Sequence, residues 1–217
     1  MQNRFDYFVV LAEMRTGSNF LEANINMFDD LSCHGEAFNP AFIGYPEQES
    51  LLGVTQDARD KDPQALINAV RFDEGLAGFR YFNTHDPRVL DTMLDDPRCA
   101  KIILTRNPID SYVSLKIATA TGQWKLTNVS HVKSERVTVD IAEFETHLAA
   151  LQDFQVKLQG RLQKSGQTAF YLAYEDLQDV GVMNGLAQFL GSNHQIKQLN
   201  KKLKKQNPAP MSMKVEN

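Results

Sequence analysis

The stretch Tyr7-Phe-Val-Val-Leu-Ala-Glu-Met-Arg15-Thr-Gly-Ser-Asn-Phe-Leu21 changes its periodicity halfway along. Tyr7 to Leu11 is a short unbroken run of aromatic and aliphatic residues, the pattern of a strand buried on both faces of a parallel sheet. From Asn19 to Phe28 the apolar positions Phe20, Leu21, Ile25 and Phe28 recur at helical spacing. Strand, glycine-containing turn and helix together open a βαβ unit. At such a junction unpaired backbone N–H groups and the positive end of the helix dipole converge on one spot, which suits a phosphate. Gly17 permits close backbone approach, Thr16 and Ser18 offer hydroxyls, Arg15 adds a permanent charge with fork geometry, and Asn19 and Phe20 continue the loop into the helix. The nucleotide-kinase pattern GxxxxGK[ST] is absent, since no glycine stands five before Gly17 and Asn19 occupies the place where the pattern would continue. A Gly-Ser pair after a strand also starts many helices that bind nothing.

Outward from this unit, strand and helix patterns alternate. A strand is expected around Ser32 to Glu36, followed by a segment from Asn39 to Lys61 without a period, which reads as one long binding loop. Helices are expected at Pro63 to Phe72 and Pro87 to Leu94, and strands at Ala77 to Phe82 and Lys101 to Thr105. Asn107-Pro108 is a helix entry with Asn as cap and Pro at the first position, and that helix runs to about Thr121 before Gly122. A long amphipathic helix from Ile141 to Gln163, a last strand from Ala169 to Ala173, two short helices and a basic tail complete the chain. The alternation predicts an α/β fold, a three-layer parallel sheet flanked by helices, with ligands beyond the carboxyl ends of the strands.

A second anion site is expected at that edge. Arg106 ends the strand Lys101 to Thr105, and Ser114 follows about two helical turns later. A guanidinium there costs desolvation unless something negative meets it. An alternative pairs Arg106 with Asp110 and leaves Ser114 as an ordinary helix-face residue.

Composition bounds the partners. The chain has 217 residues, 42% of them hydrophobic, and reads as one domain over 1–217. A net charge of −4 argues against nucleic acid or anionic membrane as a partner, so anion binding is local. Cys33 and Cys99 fit no paired metal or redox spacing and read as reduced, buried thiols. No stretch approaches the ~20 apolar residues that cross a bilayer, and no apolar signal core precedes the first strand; the expectation is a cytoplasmic protein.

With Arg15-Thr-Gly-Ser18 after the first strand and Ser114 eight residues after Arg106, the chain resembles the sulfotransferases that use 3′-phosphoadenosine 5′-phosphosulfate (PAPS). Cys33-His-Gly-Glu36-Ala-Phe38, Gly78-Phe-Arg-Tyr-Phe82, Thr121-Gly-Gln-Trp124, Tyr174-Glu-Asp-Leu177 and Lys205-Gln-Asn-Pro208 are similar to the bacterial carbohydrate branch, the nodulation-factor and trehalose types. The resemblance implies the P-loop-like sulfotransferase fold, PAPS as donor without a metal, a carbohydrate or glycolipid acceptor, and a homodimer, which no segment shows independently. It implies that the loop Arg15 to Phe20 holds the 5′-phosphosulfate, that Arg106 and Ser114 hold the 3′-phosphate, with Lys205 reaching it from the tail, and that Glu36 is the catalytic base. Arg15 would meet the charge that grows on the leaving phosphate. His85, just after the strand Ala77 to Phe82, is the second candidate base, although Asn83-Thr-His-Asp-Pro87 also reads as a turn and helix start. His34 reads as a packed residue, and Trp124, the single tryptophan, as either a stacking platform or packing. Two other readings stay open: a metal-dependent nucleotide kinase, which needs the missing loop lysine, and a non-catalytic nucleotide- or carbohydrate-binding module, which needs no base.

Overall fold

The computed structural model describes residues 4–124, 133, 135–200, 202–203 and 208–217. The chain runs through β1 (Tyr7–Ala12), α1 (Ser18–Ile25), β2 (Leu31–Cys33), β3 (Ser50–Leu51), β4 (Val54–Thr55), α2 (Gln56–Lys61) and α3 (Pro63–Arg71). It continues through β5 (Leu76–Phe82), α4 (Pro87–Asp95), β6 (Cys99–Thr105), α5 (Pro108–Thr121), α6 (Ile141–Ser165), β7 (Phe170–Ala173) and α7 (Val180–Leu190), with 3-10 turns at Tyr174–Gln178 and Met211–Met213.

Five strands form one parallel sheet in the order β2-β5-β1-β6-β7. All six residues of β1 are buried because β5 and β6 flank it and both its faces are covered, which is why the strand reads as a continuous apolar run. Alternate side chains serve opposite layers. Tyr7, Val9 and Leu11 pack with Leu66, Val70, Leu90, Phe154 and Leu158 of α3, α4 and α6. Phe8, Val10 and Ala12 pack with Leu21, Ile25, Met183 and Leu186 of α1 and α7. The three layers expected from the alternation are present. Gly78 is required by the register: it pairs with Phe8, and a Cβ there would lie 2.4 Å from both the Phe8 ring and its carbonyl oxygen.

The entry to α5 forms as read, with Asn107 Oδ1 accepting from the Ile109 N–H and Gly122 closing the helix in the left-handed region. The segment 39–61 departs from the single long loop expected. It holds the hairpin β3–β4, whose turn uses Leu52 and Gly53 at positive φ, and the helix α2, capped by Thr55 Oγ1 accepting from the Ala58 N–H. Two-residue strands and a six-residue helix are too short to print a period on the sequence. From α2 the buried Arg59 donates to the carbonyls of Ala37, Asn39 and Phe42, pinning the chain that passes the site. Cys33 and Cys99 are buried free thiols. Among the described residues no helix is long and apolar enough to cross a membrane.

Candidate active site

The carboxyl ends of β1, β2, β5 and β6 meet at one edge of the sheet, and β1 is the strand from which the chain departs to both sides, the usual position of a ligand crevice. A cleft of about 360 Å³ opens there. Its walls bring together Arg15, Ser18 and Asn19 from the first anion loop, Glu36 and Asn39 from the segment after β2, and Arg80 and Phe82 from β5. Phe42, Tyr45 and Trp124 add aromatic surface, and Trp124 is half exposed at the lip.

The first loop has a backbone geometry that suits an anion. Arg15 and Gly17 both have positive φ, at 67° and 92°, so the chain turns back on itself before α1. For arginine this conformation costs on the order of 1 kcal/mol. Gly17 also lies against Tyr174 and Leu177, where a Cβ would stand within 3.0 Å of both side chains. The amino terminus of α1 has no side-chain cap and no acidic residue in its first turn, so its dipole and leading N–H groups are left for a ligand. Thr16 Oγ1 is turned inward, donating to the Glu13 carbonyl at 2.7 Å.

The second motif locks onto the first. Arg106 donates from a terminal nitrogen to the Arg15 carbonyl at 2.8 Å, and its guanidinium lies 4.1 Å over the Tyr174 ring. Arg15 Nε donates to Ser114 Oγ at 3.1 Å, and another Arg15 nitrogen donates to the Trp124 carbonyl. The two predicted anion segments, 91 residues apart at Arg15 and Arg106, therefore form one site. Arg106 does not take Asp110 as its partner; the carbonyl and the ring hold it instead. Its Nε is buried without a hydrogen-bond partner among the described residues. Burial and the neighbouring Arg106 charge push the Arg15 guanidinium down to about 10, a strain that a bound anion would relieve. Orphaned donor, uncapped helix end and crowded cations all fit a phosphorylated ligand.

Glu36 follows Gly35, which has a φ of 66° and lies so close to Gly44 that a Cβ would stand 2.3 Å from its carbonyl oxygen. Backbone bonds between Glu36 and Gly44 hold the carboxylate at the cleft wall. Glu36 Oε2 accepts from Asn39 Nδ2 at 2.8 Å and lies 3.4 Å from His85 Nε2; Oε1 lies 3.3 Å from Arg80. Burial pushes this carboxyl up, but the bond to His85, the Arg80 charge and the Asn39 amide outweigh it, and the net shift is downward.

His85 sits beneath Glu36, almost completely buried, and is absent from the cleft wall. Its Nδ1 accepts from the Phe82 N–H at 3.2 Å, so the proton of the neutral ring is on Nε2, facing Glu36. His34 is not packed in the core as expected: it is partly exposed and its Nε2 meets Asp73 at 2.6 Å. Lys205 lies outside the described residues, as do 125–132 and 134 of the stretch after α5. Among the described residues no cluster of His, Cys, Asp or Glu could hold a metal. Sequence reasoning missed Arg80, Glu22 and Tyr45 as members of the site. The signal was a lone charge within an apolar strand, Ala77-Gly-Phe-Arg-Tyr-Phe82, which burial forces to find partners.

No protein-family model matches the chain. It is similar to nodulation protein H of Rhizobium tropici, with 25% identity over 174 residues, 78% of this chain and 68% of that protein. Its fold is similar to the crystal structure of a sulfotransferase from Alicyclobacillus acidocaldarius, with a TM-score of 0.55 over 93% of this chain and 86% of the other, at 16% identity.

Proposed function

We infer from its kinship with nodulation protein H, a sulfotransferase, and from its sulfotransferase fold that this chain is a bacterial-type sulfotransferase, and we propose that it moves the sulfuryl group of PAPS to a hydroxyl of a carbohydrate or glycolipid. The observation that carries the donor reading is the joining of the two anion segments through Arg15, Arg106 and Ser114, with Arg106 Nε left for a ligand atom. In this reading the amino terminus of α1 and Ser18 hold the 5′-phosphosulfate, and Arg106 and Ser114 hold the 3′-phosphate.

Glu36 is the base. Its carboxylate takes the proton of the acceptor hydroxyl, the acceptor oxygen bonds to sulfur, and the bond from sulfur to the bridging phosphate oxygen breaks in line. The electron pair of that bond leaves on 3′-phosphoadenosine 5′-phosphate, where Arg15 meets the growing charge. His85, with Nε2 3.4 Å from Glu36 Oε2, is placed to orient the carboxylate rather than to meet the acceptor itself. The aromatic walls at Phe42, Tyr45 and Trp124 suit the apolar faces of a sugar ring, which supports a carbohydrate acceptor.

Calorimetric titration with 3′-phosphoadenosine 5′-phosphate tests the donor before an acceptor is known. The reading expects metal-independent binding that weakens at least about tenfold for ADP and for Arg106→Ala, since a lost charge-assisted hydrogen bond is worth about 1.5–3 kcal/mol. Equal affinity for both nucleotides would reject PAPS as the donor. Labelled PAPS offered with a panel of sugars and glycolipids then identifies the acceptor.

A further inference from the structure

Arg80 stands in a strand whose other residues are apolar or glycine, and only 2% of it is exposed. A guanidinium is stable there only when ionic and polar partners surround it. Its partners come from three elements of the site. Nε is 2.5 Å from Glu22 Oε2 on α1. One terminal nitrogen is 3.3 Å from Glu36 Oε1, beyond β2, and 3.3 Å from Ser18 Oγ in the anion loop. Glu22 accepts in turn from the Tyr45 hydroxyl at 2.6 Å. One rigid planar group therefore spans the donor loop, the helix behind it and the carboxylate at the cleft wall.

We propose that Arg80 is a positioning residue for the transfer, holding the Glu36 carboxylate and the Ser18 hydroxyl at a fixed separation so that base, acceptor oxygen and sulfuryl group fall in line. The inference rests on the reading of Glu36 as the base. A guanidinium suits the task because its Nε and terminal nitrogen reach different partners at set angles, which a single ammonium cannot do. Its charge also keeps Glu36 ionised. The groups that face Glu36 are Arg80 from β5, His85 from the turn after it and Asn39 from its own segment; Glu22 lies on the far side of Arg80 with Tyr45. Without the fork, two carboxylates would share the pocket with no guanidinium between them, and Glu36 would take up a proton more readily.

The test compares wild type with Arg80→Lys, Arg80→Met and Glu22→Gln. The Glu36 carboxyl is followed by carbon-13 NMR of glutamate-labelled protein, its signal identified by loss in Glu36→Gln. Transfer from labelled PAPS and binding of 3′-phosphoadenosine 5′-phosphate are measured on the same samples. Arg80→Met is expected to raise the Glu36 titration by about one unit or more and to move the acidic limb of the pH–rate profile upward with it. Arg80→Lys keeps the charge, so it restores most of the titration, yet kcat falls about tenfold or more while nucleotide affinity stays within about threefold. Glu22→Gln, which frees one arm of the fork, should lower kcat without raising the Glu36 titration. If Arg80→Met does not fold, the Lys variant decides. Wild-type kcat in a folded Arg80→Lys, or an unmoved Glu36 signal in a folded Arg80→Met, overturns the proposal alone. A wild type that binds the nucleotide but transfers nothing from PAPS to any acceptor overturns the functional reading and this inference together.

Discussion

In the proposed reaction Glu36 serves the chemistry of the cleft and Arg106 its affinity, and single substitutions should separate the two. Glu36→Gln keeps the shape and the Asn39 contact but removes the carboxylate proposed as the base. It is expected to lower the transfer rate about 10²–10⁴-fold, the usual worth of a general base, with nucleotide affinity in the calorimeter changed less than about twofold. Because the partners of Glu36 hold its carboxyl below its ordinary value, the base form is present at all pH values above that lowered point. The acidic limb of kcat/KM should therefore lie below the ordinary glutamate value of about 4.3, and a limb near 6 would assign the base to another group.

Glu13, next to the anion loop, runs the other way. Burial raises its carboxyl to about 7, partly opposed by the Asn83 N–H that it accepts. Its folded value lies above its unfolded one, so the folded chain holds a proton that the unfolded chain has released between about 4.5 and 7. Stability from this group is present below that window and lost as pH rises through it. Glu13→Gln should leave Tm near wild type at pH 4.5 and raise it by roughly a few degrees at pH 8, read by thermal denaturation at both values. An equal shift at both pH values would show that protonation is not the cause.

At the scale of elements, glycines mark where backbone geometry and packing act separately. Gly78 faces Phe8 across the β5–β1 pairing, and an added Cβ would stand 2.4 Å from backbone that cannot move without shifting the sheet. Gly78→Ala is expected to lower stability by about 1–3 kcal/mol, read from the denaturant midpoint. Gly160 sits inside α6 with nothing within 4 Å of its Cβ position, and there the same change should stabilise by about 0.5–1 kcal/mol, since alanine restricts the unfolded chain and favours the helix. The elements themselves follow local rules where they are long. The strand run Tyr7 to Leu11 and the helix from Pro108 to Thr121 were legible because an apolar run or a cap and a terminating glycine lie within a few residues of each other. The hairpin β3–β4 was not, because its pairing of Ser50 with Thr55 and Leu51 with Val54 is too short to leave an alternating pattern.

At the scale of the molecule, a nucleotide that binds the folded chain and not the unfolded one must raise Tm. With 3′-phosphoadenosine 5′-phosphate at 100 times its Kd the gain is about 2.7 kcal/mol, which in a chain of this size is roughly 5–11 °C. ADP at the same concentration should give a clearly smaller rise, and Arg106→Ala should remove most of the difference.

The sequence by itself determined the parallel α/β architecture, because apolar periodicity, cap residues and a turn glycine act over a few neighbouring positions; the two anion segments were readable there as candidates, and Glu36 only through the family resemblance. Tertiary structure decided what those segments do to one another. That Arg106 grips the Arg15 carbonyl, that His85 stands beneath Glu36 rather than beside it, and that Arg80 joins Glu22, Glu36 and Ser18 depends on the strand order β2-β5-β1-β6. A sequence shows that a buried charge needs a partner. Only the folded sheet, which brings residues 44 to 91 positions apart within bonding distance, selects which partner it has.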